Sequence, residues 1–175
     1  MEEAQSRLIV ADAGPLIVLS RMGELALLPR IFGRISITQV VHQELMTGGL
    51  FPGQDAIADA LAEWLHVEYV DLGTWAPINP DIDPGEASSI CLAERHGDCL
   101  LIIDDKAGRQ EAMARGLHVV GLVGVLREAK LRGLVPQLRP VLEGLRRSGY
   151  YLSDVLTQRL LETVGEGEAG SETVV

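Results

Sequence analysis

The segment that most constrains the fold is a short apolar run that begins at Leu8 and ends at a carboxylate, Asp12. Its length fits a buried β-strand, and Gly14 and Pro15 then turn the chain into another apolar segment, as at a strand-to-helix junction. In open α/β sheets the ligand crevice lies beyond the carboxyl ends of the strands. Asp12 is therefore placed where such a fold carries out chemistry, and the other acids can be judged by whether they reach it.

Short apolar runs of strand length alternate with longer helical segments along the chain. This alternation predicts an α/β fold in which helices cover both faces of a mostly parallel sheet. Strands are predicted at 8–11, 34–37, 66–70, 99–103 and 117–120. A chain of 175 residues, 47% of them apolar, can bury the core of one domain. We assign this domain to residues 7–164 and expect the acidic segment 165–175 to be disordered.

The charge balance limits the classes of partner. A net charge of −10 argues against a broad basic groove for nucleic acid. It is compatible with a nuclease whose carboxylates hold divalent cations. The first residues are acidic, and no apolar run approaches the ~20 residues of a membrane span, so we expect a cytoplasmic protein without membrane association. Cys91 and Cys99 lack the companions that a zinc site needs and are assigned to the core.

The helix predicted to begin after Thr38 carries a carboxylate in its apolar stripe. The stripe has the spacing i, i+1, i+4 and i+5 and consists of Val40, Val41, Glu44 and Leu45. This spacing predicts that Glu44 faces inward. An inward carboxylate is costly unless it is paired or coordinated, which favours a role in a site. The alternative is a helix rotated by one position, with Glu44 at the edge of the stripe.

An irregular segment at 71–83, long enough to form a lid or rim, leads into the next helix at Asp83. Asp83, Pro84 and Glu86 have the pattern of a capping box, with Asp at the N-cap, Pro at N1 and Glu at N3. Glu86 also stands at the N-terminal end of the apolar stripe that continues through Ile90, and so faces the crevice of the sheet. A cap-only role and a site role for Glu86 both remain open.

A second buried strand also ends in acids, at Asp104 and Asp105, and passes into a helix that begins at Lys106. Asp105 can serve as the N-cap of that helix. Capping explains one of the two acids but not both. The carboxyl end of this strand is therefore a second candidate source of site residues.

The candidate site is a set of acids at strand ends or on inward helix faces, with neither His nor Cys among them: Asp12, Glu44, Glu86, Asp104 and Asp105. Such a cluster does not remain ionised without cations. Ligands that are all oxygen suit Mg²⁺ or Mn²⁺, which bind through carboxylates and substrate phosphate. This is the chemistry of phosphodiester hydrolysis, in which the metal generates hydroxide and stabilises charge on phosphorus.

The acids lie in four motifs: D-A-G-P-L at Asp12, V-V-H-Q-E-L at Glu44, G-E-A at Glu86 and L-I-I-D-D-K-A-G-R at Asp104. These motifs resemble those of PIN-like nucleases, in particular a branch akin to VapC-type toxins. The resemblance covers about residues 7–165. It implies a three-layer α/β/α domain, Mg²⁺- or Mn²⁺-dependent cleavage of RNA, homodimerisation and an antitoxin partner. It also implies that the acids of these motifs are the metal ligands and catalytic residues. Gly14 stands where the family often has a hydroxyl residue.

Two other functions remain open. A doubly wound phosphotransfer protein would also have acids at its strand ends, although Gly14 breaks the D-x-D pattern of a haloacid-dehalogenase-like site. Alternatively, a PIN-like fold with weak or no catalysis could act as a binding or regulatory partner. Binding of Mn²⁺ separates these classes, because a degenerate site holds the ion no better than a surface carboxylate does.

The last two helices, predicted at 136–147 and 153–164, carry an apolar stripe that includes Val141, Leu142 and Leu145. Apolar helical surface of this kind needs to be covered. An isologous dimer is the commonest way to cover it, so we expect a homodimer, although the same stripe can pack on its own sheet.

Overall fold

The computed structural model describes residues 7–168, which contain five strands and nine helices. The strands are β1 (Leu8–Ala11), β2 (Ile35–Thr38), β3 (Leu65–Glu68), β4 (Cys99–Ile102) and β5 (His118–Val120). The helices are α1 (Ala13–Arg21), α2 (Leu27–Phe32), α3 (Gln39–Thr47), α4 (Gln54–Glu63), α5 (Pro84–His96), α6 (Lys106–Ala114), α7 (Leu122–Leu131), α8 (Leu138–Arg147) and α9 (Asp154–Thr163). The described residues fall into two compact units, 7–122 and 123–168.

The first unit contains one five-stranded sheet in the order β3-β2-β1-β4-β5, and every neighbouring pair of strands is parallel. The predicted α/β fold with a parallel sheet is thereby confirmed. From β1 the chain builds outward on one side through β2 and β3, and then crosses to the other side for β4 and β5. The order therefore reverses between β1 and β4, and that reversal is where such sheets form their ligand crevice.

The two strands at this reversal are deeply buried because their side chains are apolar. Val10 of β1 and Leu101 of β4 lie opposite each other in register, and both are fully buried. They belong to one core cluster with Ile90 of α5. Each such aliphatic side chain contributes about 1.5–3 kcal/mol when it is removed from water. This core fixes where β1 and β4 end, and so fixes the positions of the residues that follow them.

The second unit contains α8, α9 and all of α7 except Leu122. The apolar stripe that led us to expect a homodimer is not exposed to solvent: Leu142 and Leu145 are buried and Val141 is half-buried. The inference of a dimer from uncovered residues at these positions was therefore wrong. Leu142 and Leu145, three positions apart on α8, are buried by other described residues, as the apolar face of an amphipathic helix requires.

The predicted disordered tail begins at Gly165, but its first residues are held. Glu166 accepts hydrogen bonds from the backbone N–H groups of Leu138 (2.6 Å) and Arg139 (3.0 Å) at the start of α8. Its carboxylate also lies 3.1 Å from Lys130 Nζ. Glu166 therefore departs from the prediction, while 169–175 lie outside the described residues.

None of the helices between residues 7 and 168 is both long and apolar enough to cross a membrane.

Candidate active site

Asp12 is the first residue after β1 and stands at the N-cap position of α1. Its backbone N–H donates to the carbonyl of Ile102 on β4 (2.9 Å), which holds it at the carboxyl end of the sheet, as predicted. The side chain is 8% exposed and does not cap the helix. Its Oδ1 atom is buried without a hydrogen-bond partner among residues 7–168. A buried carboxylate oxygen without a donor is costly unless something else satisfies it.

The electrostatic environment of Asp12 favours the protonated form of its carboxyl group. Burial raises the pKa of its carboxyl to about 7, against a hydrogen bond from the Ala13 backbone that lowers it. Nearby carboxylates raise the same pKa further, namely those of Asp83, Glu86 and Glu44. Like charges around a buried carboxyl group favour its protonation unless a cation is present.

Three carboxylates converge on the buried residue Gly85, in the first turn of α5. A β-carbon at this position would meet three oxygens: Glu44 Oε2 at 2.7 Å, Asp83 Oδ1 at 3.3 Å and Asp12 Oδ1 at 3.7 Å. The glycine thus leaves open the space at which side chains from α3, from the α5 cap and from the end of β1 meet. We call Asp12, Glu44, Asp83 and Glu86 the Gly85 cluster.

The prediction that Glu44 points inward was wrong. On α3 the buried residues are Val41 and Leu45, whereas Val40 is half-buried and Glu44 is exposed. The buried stripe is therefore a single i, i+4 row, and the second row lies at its edge, as in the alternative orientation. Exposure does not remove Glu44 from the site, because its carboxylate lies over Gly85.

Glu44 lines an open cleft of about 370 Å³ between α3 and the start of α5, together with Val40, Asp83 and Gly85. Partial burial in this cleft raises the pKa of Glu44, and the neighbouring Asp83 raises it as well. The cleft therefore gives solvent, and molecules in it, access to the side chains of Glu44 and Asp83, whereas Asp12 Oδ1 is buried.

The capping box at the start of α5 is confirmed. Asp83 Oδ1 accepts from the backbone N–H of Glu86 (2.8 Å), and Glu86 Oε2 accepts from the backbone N–H of Asp83 (3.1 Å). Glu86 is nevertheless buried, at 6% exposed. Burial raises its pKa to about 7; the Asp83 backbone hydrogen bond opposes this rise, and the Asp83 and Asp105 carboxylates add to it. Capping and membership of the acidic cluster are thus combined in one side chain.

Asp83 is the site residue that our sequence reasoning missed, because capping accounted for it fully. The signal was present in the capping box itself: the N-cap and N3 side chains share one helix terminus, so an acid at each position places two carboxylates together. If Glu86 faces the crevice, Asp83 must lie beside it.

The two acids after β4 have different roles. Asp105 caps α6 by accepting from the backbone N–H of Gly108 (3.0 Å), as predicted, and its charge also raises the pKa of Glu86. A β-carbon on Gly108 would lie 3.5 Å from the carboxyl carbon of Glu86, so the first turn of α6 adjoins the cluster. Asp104 Oδ1 instead accepts from the backbone N–H of Leu122 (3.0 Å), where α7 begins. The structure therefore brings Asp105 to the edge of the Gly85 cluster.

No three His, Cys, Asp or Glu side chains in the part of the chain that the structure describes stand close enough to ligate one ion together. Three features fit a divalent cation: the unpartnered Asp12 Oδ1, the gap at Gly85, and a donor set made entirely of carboxylate oxygen. Such donors suit Mg²⁺ and Mn²⁺.

A second group of acids in the same unit has a cation at its centre. Arg115 bonds to Glu111 (3.0 Å) and Glu94 (2.9 Å), and its guanidinium stacks 4.4 Å from the centre of the Trp75 ring. The Trp75 indole N–H also donates to Glu94 (2.7 Å). We call these four residues the Glu111 network. Nothing in our reading of the sequence singled out Glu111, although Arg115 follows it at the i, i+4 spacing of a helical ion pair.

The Glu111 network fixes the irregular segment that we predicted as a lid or rim. Glu111 accepts from the backbone N–H groups of Ile78 (2.8 Å) and Asn79 (3.0 Å), and Arg115 donates to the carbonyl of Ala76 (2.9 Å). Burial raises the pKa of Glu111, but the two backbone donors and Arg115 outweigh burial, so the pKa is lowered. This segment runs directly to Asp83, and its attachment to α6 helps to position the start of α5.

The fold and the site together define a class: an α/β domain whose parallel sheet carries a cluster of carboxylates at its topological reversal. The family model DUF3368, described as a PIN domain, matches residues 8–166, and the chain belongs to this PIN domain family. PIN domains are generally metal-dependent nucleases. The resemblance drawn from the sequence motifs is thereby confirmed at the level of the family and of its α/β fold.

The fold is similar to that of a solved structure, a PilT N-terminus domain protein, SSO1118, from the hyperthermophilic archaeon Sulfolobus solfataricus P2. The TM-score is 0.53 at 17% sequence identity, and the match covers 67% of this chain and 89% of that one. At this identity the similarity concerns the fold. No curated protein sequence matches this chain significantly.

Proposed function

We propose that this protein is a divalent-metal-dependent ribonuclease in which the Gly85 cluster, with Asp105 at its edge, holds Mg²⁺ or Mn²⁺. The observation that carries the proposal is the buried Asp12 Oδ1 atom, which has no donor among the described residues and faces the gap at Gly85 where oxygens of Glu44 and Asp83 also meet. A cation in that gap supplies the positive charge that the cluster lacks.

The side chains then have distinct tasks. Asp12, held rigidly at the end of β1, is the ligand that the fold positions most firmly, and Glu44 reaches the gap from the open side of the cleft. Asp83 and Glu86 contribute from the α5 terminus while they cap it. A divalent ion held by these carboxylates would supply a hydroxide near neutral pH and stabilise charge on the phosphate, so no side chain would need to act as a nucleophile.

One cation for the RNA backbone is available at the start of α6, where Lys106 is exposed. The guanidinium of Arg109 lies instead by Gly121, where a β-carbon would meet Arg109 Nη1 at 2.5 Å and Asp104 Oδ1 at 3.1 Å. Lys and Arg contacts to phosphate position a nucleic acid without reading its sequence. In a chain with a net charge of −10, one such contact fits an enzyme that binds a short stretch of strand.

The activity is tested by incubating the protein with labelled single-stranded and hairpin RNA, with matched DNA and with acetyl phosphate, in Mn²⁺ or in EDTA. We expect cleavage of RNA that requires Mn²⁺. Bound Mn²⁺ without cleavage of any RNA would contradict the proposal and favour a binding or regulatory protein. A stable phosphoenzyme formed from acetyl phosphate would favour the phosphotransfer function.

As an extension of the proposal, the nuclease is the cytoplasmic toxin of a toxin–antitoxin pair and acts as a homodimer. The support is the resemblance of the motifs to VapC-type toxins, and an exposed apolar group on and before α9, at Tyr151, Val155 and Leu156, that a second copy or an antitoxin would cover. Induced expression should arrest growth, and the Asp12→Asn variant should not. A monomer by light scattering at tens of micromolar would exclude a dimer with a micromolar dissociation constant.

A further inference from the structure

Two buried hydroxyl groups connect the helices that carry the acids. Thr38, at the end of β2, and Ser88, on α5, are both fully buried, and their side-chain oxygens lie 2.6 Å apart. This bond joins positions 50 residues apart in the chain. Because most helix-to-helix contacts in such a core are apolar, a direct hydroxyl–hydroxyl bond at this place requires an explanation.

The direction of the bond follows from the other partners of each hydroxyl. Ser88 Oγ donates to the carbonyl of Gly85 (2.8 Å), so its single proton is already in use. Thr38 Oγ1 must therefore donate to Ser88, and it accepts in turn from the backbone N–H of Val41 (3.1 Å) as the N-cap of α3. One polar chain thus runs from the start of α3 through two hydroxyls to the carbonyl of Gly85.

The two ends of this series of hydrogen bonds lie on the two sides of the acidic cleft. Thr38 caps the helix that carries Glu44, and Gly85 is the residue on which Glu44, Asp83 and Asp12 converge. A hydrogen bond fixes the distance and direction between its two atoms, whereas an apolar contact has no preferred direction. Supporting bonds of this kind set the spacing of ligands that they do not touch.

We propose that Thr38 and Ser88 are positioning residues that set the separation of Glu44 from the α5 acids and so preorganise the cluster for a divalent cation. The inference rests on the proposed function for the identity of the ligand. It adds a residue-level cause for the geometry: the cap of the helix that carries Glu44 is hydrogen-bonded to the helix that carries Glu86.

Ser89 provides a closely matched control. It is fully buried, and its hydroxyl donates to the same Gly85 carbonyl (3.0 Å) from the next position of α5. That bond stays within one helix. Ser88→Ala and Ser89→Ala therefore each remove one buried hydroxyl and one bond to Gly85, but only Ser88→Ala cuts the connection to α3.

The test is the affinity of the full-length protein for Mn²⁺, measured by calorimetry at pH 7 without RNA, beside the urea midpoint of each variant. We expect Ser88→Ala to weaken Mn²⁺ binding about tenfold and Ser89→Ala to change it less than about twofold, at similar losses of stability. Equal losses of affinity in the two variants would overturn the inference. Wild-type protein that binds no Mn²⁺ overturns the proposed function first, and the inference with it.

A second pair of variants keeps the test decisive if Ser88→Ala does not fold. Thr38→Ser retains both the helix cap and the donor to Ser88 and should bind Mn²⁺ like the wild type. Thr38→Asn retains a cap but offers a different reach, so Ser88 loses its partner and the affinity should fall. If both Thr38 variants bind Mn²⁺ like the wild type, Thr38 has no positioning role.

Discussion

The Gly85 cluster and the Glu111 network contain acids that are buried to the same extent and behave in opposite ways. Glu86 and Glu111 are each 6% exposed. The pKa of Glu86 is raised to about 7, whereas that of Glu111 is lowered. Burial is the largest cause of the rise at Glu86, and the neighbouring carboxylates add to it. At Glu111 burial also raises the pKa, but two backbone N–H groups and Arg115 outweigh it.

Within one unit of the protein, this difference separates an acid that the chain itself neutralises from one that we propose as a metal ligand. The Glu111 network satisfies its charge with residues of the chain, and it uses the resulting bonds to fasten the segment before Asp83. In the Gly85 cluster, by contrast, the buried Asp12 Oδ1 atom has no hydrogen-bond partner among residues 7–168. Perturbed carboxylates gathered in an open cleft are the usual mark of a catalytic or metal site.

The largest expected effect distinguishes the two groups by activity. Asp12→Asn should lower Mn²⁺-dependent RNA cleavage about a thousandfold, a change of about 4 kcal/mol in barrier. The amide retains the size of the carboxylate, and relief of repulsion should leave the melting temperature at pH 7 equal or higher. Glu94→Gln, in the Glu111 network, is the control and should keep full activity. A lower melting temperature with intact cleavage would make Asp12 a structural residue.

A second prediction distinguishes the groups by stability. Glu111→Gln leaves Arg115 without its buried partner and should cost about 2–4 kcal/mol in the free energy of unfolding, measured in urea. Glu86→Gln is matched in burial and chemistry, and glutamine still fits the N3 position of a capping box. It should be neutral or stabilising at pH 7. Equal costs for the two substitutions would remove the contrast between the regions.

The pH dependence of the metal-free protein has a definite sign. The folded chain retains the protons of Asp12 and Glu86 up to about pH 7, whereas the unfolded chain releases them near the ordinary values of 3.8 and 4.5. Between these limits the folded state binds more protons, so stability falls as the pH rises. The lowered pKa values of Glu94, Glu111 and Glu166 act in the opposite sense, but only as the pH falls through their ordinary value of 4.5 and below.

Stability should therefore drop by about 1–3 kcal/mol between pH 5 and pH 7.5 without metal. Urea unfolding of the wild type and of Asp12→Asn across this range measures the drop, and the variant should show a shallower slope. Added Mn²⁺ should restore the loss at pH 7.5. A stability that rises over this interval in the metal-free wild type would show that the acids of the Gly85 cluster are not held protonated.

The smallest expected effect shows which of the two acids after β4, Asp104 or Asp105, contributes to Mn²⁺ binding. Asp105→Asn retains a good helix cap but removes a charge next to Glu86, and should weaken Mn²⁺ binding about two- to fivefold. Asp104→Asn acts at the start of α7 and should change stability more than affinity. Calorimetry on the two variants decides between them, and a greater loss of affinity in Asp104→Asn would assign the metal to that residue instead.

Much of this arrangement could be predicted because local rules determine it. Asp12 follows a buried strand, Asp105 and Thr38 cap helices, and the Asp83–Glu86 capping box forms as its sequence requires. The α/β class followed from the alternation of apolar runs. Each of these depends on neighbours in sequence.

The parts that could not be predicted depend on partners far away in sequence. The predicted orientation of Glu44 was wrong because an apolar row in the sequence shows which helix face is buried only to within one position. The packing of α3 on α5 decides which row is buried. The role of Glu111 depends on backbone groups of Ile78 and Asn79, more than 30 residues away. The convergence at Gly85 needs three separate elements, and no local pattern reports such a gap.

The central claim is that a divalent cation completes the Gly85 cluster, and a crystal of the protein soaked in Mn²⁺ tests it most directly. Anomalous scattering should place an ion in contact with Asp12 Oδ1, with oxygens of Glu44 and at least one α5 acid drawn toward it. The Asp12→Asn crystal, soaked in the same way, should show no ion at that position. Asp12 Oδ1 paired with a protein donor or a water, and no Mn²⁺ near Gly85 in the wild type, would contradict the claim.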